Sequence, residues 1–181
     1  MKRTLHLARR FVRALWPGPP RERDIAWVAG ILEPDELGLW RSLPNHDRRY
    51  TIRVAKDVEA RLASTEYAGQ PRWLAAALLH DVGKLDAGLG VVGRSVATVM
   101  GAVAGPAGVD RWAQTSGFRR RAAWYLHHDD RGADRIRAAG GREEAARWAS
   151  AHHHRSRWPA SGVPVTVAAA LEAADNASRR P

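Results

Sequence analysis

The sequence predicts an all-α protein. Three observations lead there. Apolar residues recur at three- and four-residue intervals, as in Ile52, Ala55, Val58 and Leu62, which places them on one helix face. Prolines and glycines fall between such segments, where helices start and stop. Alternating Val/Ile/Thr runs, the mark of a half-buried strand, are nearly absent.

The elements follow in order. Leu5, Leu7, Phe11, Val12, Leu15 and Trp16 interleave with arginines, predicting a short amphipathic helix over 3–16. Pro17-Gly18-Pro19-Pro20 ends it as a stiff linker. Residues 1–23 thus form a basic appendage, and 24–181 a single helical domain. Asp24 is a candidate N-cap ahead of Ile25. Pro34 and Asp35 open a helix running to about Leu43, and Pro44-Asn45 open the next. Pro71 suits a first helical position before Trp73-Leu74-Ala75-Ala76-Ala77-Leu78-Leu79, and Gly83 is expected to stop that helix just past His80-Asp81. Residues 88–104 are apolar, Gly-rich and uncharged except for Arg94, which predicts a buried helix. Gly105-Pro106 and Gly117 punctuate the chain, and helices follow around 118–127, 130–139 and 142–153. Pro164 opens the last helix, which carries Asp175.

Bulk composition excludes several function classes. The 181 residues suit one domain, and 45% apolar residues with eight tryptophans allow a sizeable core. There is no cysteine, so disulfides, thiolate metal sites and cysteine nucleophiles are excluded, and any metal must be held by His, Asp, Glu or water. No apolar run reaches the roughly 18 residues of a membrane span, and the basic N-terminus lacks the apolar stretch of a signal peptide. The expectation is a cytoplasmic protein. The net charge of +10 concentrates in residues 1–23, Arg119-Arg120-Arg121 and Arg179-Arg180. That favours anionic partners, and residues 1–16 could contact an anionic membrane or an acidic protein. Heavy arginine and alanine usage is the plainer reading. No helix-turn-helix phrase supports specific nucleic-acid binding.

The chemistry lies in the histidines and aspartates. His80-Asp81 ends an Ala/Leu-rich helix, His127-His128 ends another, and His152-His153-His154 a third. Asp175 sits in the small, apolar stretch Ala173-Ala174-Asp175-Asn176, where a carboxylate is costly unless paired or metal-bound. Imidazole nitrogens and carboxylate oxygens are the donors of a divalent-metal centre. The structural alternatives are solvated helix ends for the His152 triplet and a water-facing turn for Asp175.

This set resembles the HD superfamily of metal-dependent phosphohydrolases. His80-Asp81-Val82-Gly83-Lys84 looks like its His-Asp-x-Gly-Lys phrase, and Asp175 like its distant Asp. His128 with Gly132, and His152-His153 followed by Trp158-Pro159, look like the added histidines of two-metal members. The resemblance covers roughly 44–177. It implies an HD-domain-like helical bundle holding one or two divalent ions (Fe, Mn, Ni or Mg) on His80, Asp81, His128, His152, His153 and Asp175. It implies hydrolysis of a phosphate mono- or diester in a phosphorylated small molecule or nucleotide. Asp81 could then bridge two ions, and Lys84 could bind phosphate or complement a helix dipole. One position departs: Tyr50 in Arg49-Tyr50-Thr51-Ile52-Arg53-Val54-Ala55 stands where the family's first His is expected. His46, one turn earlier, could swing in, Tyr50 could replace the ligand poorly, or the position is lost. The alternative function is a catalytically weakened module that binds nucleotide or metal.

Overall fold

The computed structural model describes residues 18–179, and every structural statement below concerns these. The expected helix over 3–16 lies outside them. The described chain is helical throughout, with no strand. Its helices are α1 (Glu22–Ala29), α2 (Pro34–Arg41), α3 (Asn45–Leu62), α4 (Pro71–Leu79), α5 (Lys84–Ala87), α6 (Val91–Ala113), α7 (Gly117–Leu126), α8 (His128–Ala138), α9 (Glu143–Ala151), α10 (Trp158–Ser161) and α11 (Val165–Arg179), with a 3₁₀ turn at Arg155–Arg157.

The core is built around α4. A helix apolar on every face has to be enclosed, and Trp73, Leu74, Ala75, Ala76, Ala77, Leu78 and Leu79 are all buried. Helices α3 and α9 both pack on α4, α11 lies on α3, and α8 lies on α9. The face of α3 that meets this core carries Ile52, Ala55, Val58 and Leu62, at the spacing read from the sequence. Each large side chain buried here stabilises the fold by about 1.5–3 kcal/mol.

Two buried ion pairs tie the outer helices down. Glu36 of α2 is 1% exposed and accepts hydrogen bonds from the Arg142 backbone (2.8 Å) and guanidinium, joining α2 to the start of α9. Burial pushes its carboxyl up, but the bonds from Arg142 outweigh this and leave it below the ordinary range. Asp47 takes both Nη atoms of Arg94 at 2.8 Å, joining the start of α3 to the start of α6. Burial again opposes ionisation, yet hydrogen bonds from His46 and Arg94 bring Asp47 down to about 2.

Two helix boundaries differ from the sequence reading. Asp24 does not cap α1; the helix begins at Glu22, and Asp24 sits in its first turn, where a carboxylate complements the dipole. Gly83 does not adopt the left-handed conformation of a helix stop (φ −63°, ψ −19°), and its role is steric, as shown below.

The expectation of a buried helix over 88–104 is also corrected. Of α6, only Ala97, Gly108 and Val109 are buried, while Val92, Val96, Val99 and Val103 are exposed by 61%, 44%, 66% and 86%. The helix packs mainly on α7, using small residues such as Gly101 against Leu126, so one stripe is covered and the opposite one is not. Gly105 breaks α6 at φ 67°, a conformation glycine tolerates, just before Pro106. No single described helix is long and apolar enough to cross a membrane; residues 71–87 and 91–113 reach that length only as a pair bent by 84°.

Candidate metal centre

Three histidines are aimed by the same local device. The last carbonyls of an α-helix have no backbone N–H partner. At the end of α4, His80 donates Nδ1–H to Ala77 O (2.8 Å); His128, the first residue of α8, donates back to Tyr125 O in the last turn of α7 (2.7 Å); at the end of α9, His152 donates to Ala149 O (2.7 Å). Each bond is to the carbonyl three residues back. Each satisfies an orphan acceptor, fixes the tautomer and turns the Nε2 lone pair inward.

The inward atoms converge on Asp81. Its Oδ1 lies 3.3 Å from His128 Nε2 and 3.9 Å from His152 Nε2. Its Oδ2 lies 3.6 Å from His80 Nε2 and pairs with Lys84, the first residue of α5. His153 completes the group, with Nε2 3.3 Å from His128 Nε2. Across the site, Asp175 Oδ1 is 3.6 Å from His80 Nε2. Distances of 3.6–3.9 Å are too long for hydrogen bonds. His80 Nε2 and His152 Nε2 are therefore buried with no hydrogen-bond partner, and so is Asp81 Oδ1, because His128 Nε2 carries a lone pair when its proton sits on Nδ1.

Buried polar atoms without partners cost free energy and are rare. Three in one cluster, all with lone pairs directed at a common space, fit a cation as their missing partner. Two overlapping sets have ligand atoms within 4.8 Å of one another: His128, His152 and His153, and His80, Asp81 and His152. These His/Asp groups, all buried except the exposed His153, could hold a metal ion.

The electrostatics suit cation binding. Burial, then the neighbouring His80 and His153, push His152 well below the ordinary histidine range. Burial and His128 bring His153 down to about 4, so both imidazoles are neutral at pH 7. Burial opposes ionisation of Asp81, but Lys84, His80 and His128 overcome it and hold the carboxyl well below its usual range. Asp175 is lowered in the same way, burial being outweighed chiefly by His80 and Arg179. His80 runs the other way: Asp81 and Asp175 outweigh the effect of its burial and favour its protonated form, whose Nε2 proton a metal would have to displace.

Gly83 sets the spacing between the two halves. A Cβ there would lie 1.9 Å from His128 O and 2.6 Å from Gly132 N. The turn after Asp81 therefore rests directly on the first turn of α8. Gly132 is the matching small residue on the other side, its own Cβ position 3.2 Å from Gly83 N. The glycines of the His-Asp-x-Gly and His-x₃-Gly phrases let the two backbones touch.

No family model, curated protein or solved structure matches this chain.

The structure brings together His80, Asp81, Lys84, His128, His152, His153 and Asp175. His46 is not among them. It sits at the start of α3 with Nε2 3.2 Å from Asp47 and 3.4 Å from Arg94, and four residues of helix carry it about 6 Å along the axis from Tyr50. Tyr50 instead faces the cluster, its ring 6.1 Å from that of His80 and its hydroxyl donating to Asp175 Oδ1. His127 and His154 also lie outside, paired with Asp110 (3.1 Å) and Asp129 (2.8 Å). Sequence reasoning overlooked Arg179 as a site residue. Its Nη2 is 2.6 Å from Asp175 Oδ2, and its Nε is 3.3 Å from the Tyr50 hydroxyl. The signal was present as an i,i+4 Asp–Arg pair in the last helix.

Proposed function

We propose that this protein is an HD-type metal-dependent phosphohydrolase acting on a phosphate mono- or diester, such as a nucleotide-derived substrate. The observation that supports it best is the cluster of unpartnered buried donors, His80 Nε2, His152 Nε2 and Asp81 Oδ1, on residues whose sequence phrases resemble those of that superfamily. His80, Asp81, His128, His152, His153 and Asp175 would hold one or two divalent ions. Their imidazole-rich composition favours a transition metal over magnesium. When bound, such an ion supplies Lewis acidity toward a phosphoryl oxygen and eases deprotonation of water.

The protein's own charges favour an anionic substrate. Asp81 already faces Lys84, and Asp175 already faces Arg179. The two carboxylates are thus balanced within the protein, and a divalent cation would leave the site with net positive charge. Lys84 has three donors and spends one on Asp81, leaving others for a phosphoryl oxygen. Arg179 offers a planar guanidinium suited to phosphate.

A second reading is favoured by one contact. The Tyr50 hydroxyl occupies the Asp175 carboxylate, and this supports a module that binds nucleotide or metal without turnover. Hydrolysis of bis(p-nitrophenyl) phosphate and p-nitrophenyl phosphate, with Mn²⁺, Fe²⁺, Ni²⁺ and Mg²⁺ in turn, separates the two. The hydrolase reading expects metal-dependent turnover in the wild type that Asp81→Asn abolishes. Nucleotide binding with no turnover under any metal would establish the binding module instead.

A further inference from the structure

We infer that this centre holds one transition-metal ion per chain, between Asp81 and His128, His152 and His153, and that Tyr50 and Arg179 stand in for a second cation at Asp175. The inference rests on the metal-centre reading above and deepens it by assigning ion number and position.

The donors are not equivalent. The two sets that could share an ion have His152 in common, and Asp175 belongs to neither. Both Asp175 oxygens are already engaged. Tyr50 donates its hydroxyl to Oδ1, and Arg179 places Nη2 2.6 Å from Oδ2. Arg179 Nε also donates to the Tyr50 oxygen at 3.3 Å, so phenol and guanidinium brace each other over the carboxylate. The carboxylate therefore has the donors and the positive charge a cation would otherwise provide. A divalent ion between His80 and Asp175 would have to displace the guanidinium or lie beside it, and like charges that close repel strongly in a buried site.

The opposite side has the reverse character. Lys84 is committed to Asp81 Oδ2, which leaves Oδ1 without a partner. That oxygen faces His128 Nε2 at 3.3 Å and His152 Nε2 at 3.9 Å. His153 Nε2 approaches His128 Nε2 to 3.3 Å, two imidazole nitrogens brought close with their rings 5.0 Å apart. The imidazoles of His128, His152 and His153 form one set that could hold an ion, and Asp81 Oδ1 lies beside two of them; donors of this kind suit a borderline ion such as Zn²⁺, Fe²⁺ or Ni²⁺ and suit Mg²⁺ poorly.

The test is metal stoichiometry. Full-length protein is loaded with excess Ni²⁺ or Co²⁺, desalted and assayed by inductively coupled plasma mass spectrometry, with the visible Co²⁺ spectrum as a second readout. One ion per wild-type chain is expected. Asp175→Asn should retain that ion with an unchanged Co²⁺ spectrum, whereas His153→Ala should lose it. Tyr50→His should raise the count toward two. Two ions in the wild type, loss of the ion in Asp175→Asn with retention in His153→Ala, or no ion at all would each overturn the inference. Circular dichroism confirms that each variant is folded, and the Asp175/His153 comparison decides the matter even where Tyr50→His does not fold. A wild type that holds one ion yet hydrolyses no phosphoester would remove the hydrolase reading and leave this inference standing.

Discussion

Replacing Gly83 by alanine adds a single methyl group at the point where the turn after Asp81 touches α8. Its Cβ would fall 1.9 Å from the carbonyl oxygen of His128, 2.8 Å from the carbonyl carbon and 2.6 Å from the amide nitrogen of Gly132. Ordinary contact begins at 3.4 Å, so the two backbones would have to part by about 1.5 Å. None of the atoms in the way belongs to a flexible side chain. Gly83 has φ −63°, a value alanine adopts freely, so the penalty is entirely steric. Overpacking of this kind costs about 1–3 kcal/mol, and a clash with backbone on both sides places it at the upper end. For a chain of this size, about 3 kcal/mol lowers Tm by roughly 6–12 °C. The same parting pulls His128 away from Asp81, now 3.3 Å apart, so metal affinity should fall with stability. Thermal denaturation followed by circular dichroism, with metal titration, measures both. Gly38→Ala is the control: nothing lies within 4 Å of its Cβ position in α2, and alanine there should stabilise by about 0.5–1 kcal/mol. A Gly83→Ala protein with wild-type Tm and wild-type metal affinity would refute the reasoning.

Other outcomes follow from the core and its ion pairs. Leu78→Ala, at a fully buried α4 position, should cost about 2–5 kcal/mol in denaturant unfolding. Arg142→Ala leaves Glu36 buried without its guanidinium and should cost about 3–5 kcal/mol, whereas replacing both residues with apolar ones should cost less. Asp47 is lowered from its ordinary 3.8 to about 2 in the fold. Its contribution of about 2 kcal/mol is therefore present above pH 4 and lost as pH falls toward 2. The stability difference between wild type and Asp47→Asn should shrink over that interval, and a pH-independent difference would contradict the assignment.

The helical fold was legible because its signals are local. Proline at the start of α2 and α4, and the 3–4 spacing on α3, depend on a few neighbouring residues. Much of the cluster was legible for the same reason. His80, His128 and His152 each lie at a helix end, where the carbonyl three residues back anchors the ring. What the sequence concealed depends on contacts between distant segments. Gly83 looked like a helix stop, because nothing local shows that α8 rests on it. The apolar, uncharged α6 looked buried, because periodicity does not count how many neighbours cover a helix. His46 and Tyr50 share a helix face, and only the packing of α11 on α3 shows that Tyr50 meets Asp175. Arg179 looked like a basic chain end, until its i,i+4 partner proved to be a buried carboxylate.

The central claim is that the His/Asp cluster is a metal centre, and ligand-linked stability tests it most directly. A metal that binds only the folded chain stabilises it by about 2.7 kcal/mol at a hundred times its Kd, which corresponds to a Tm rise of roughly 5–10 °C for a protein of this length. Tm is measured against increasing Ni²⁺, Mn²⁺ or Zn²⁺ after chelator treatment, in the wild type and in His152→Ala. The account predicts a saturable rise in the wild type with at least one of these ions, absent in His152→Ala. No rise with any of them, or an equal rise in both proteins, would contradict it.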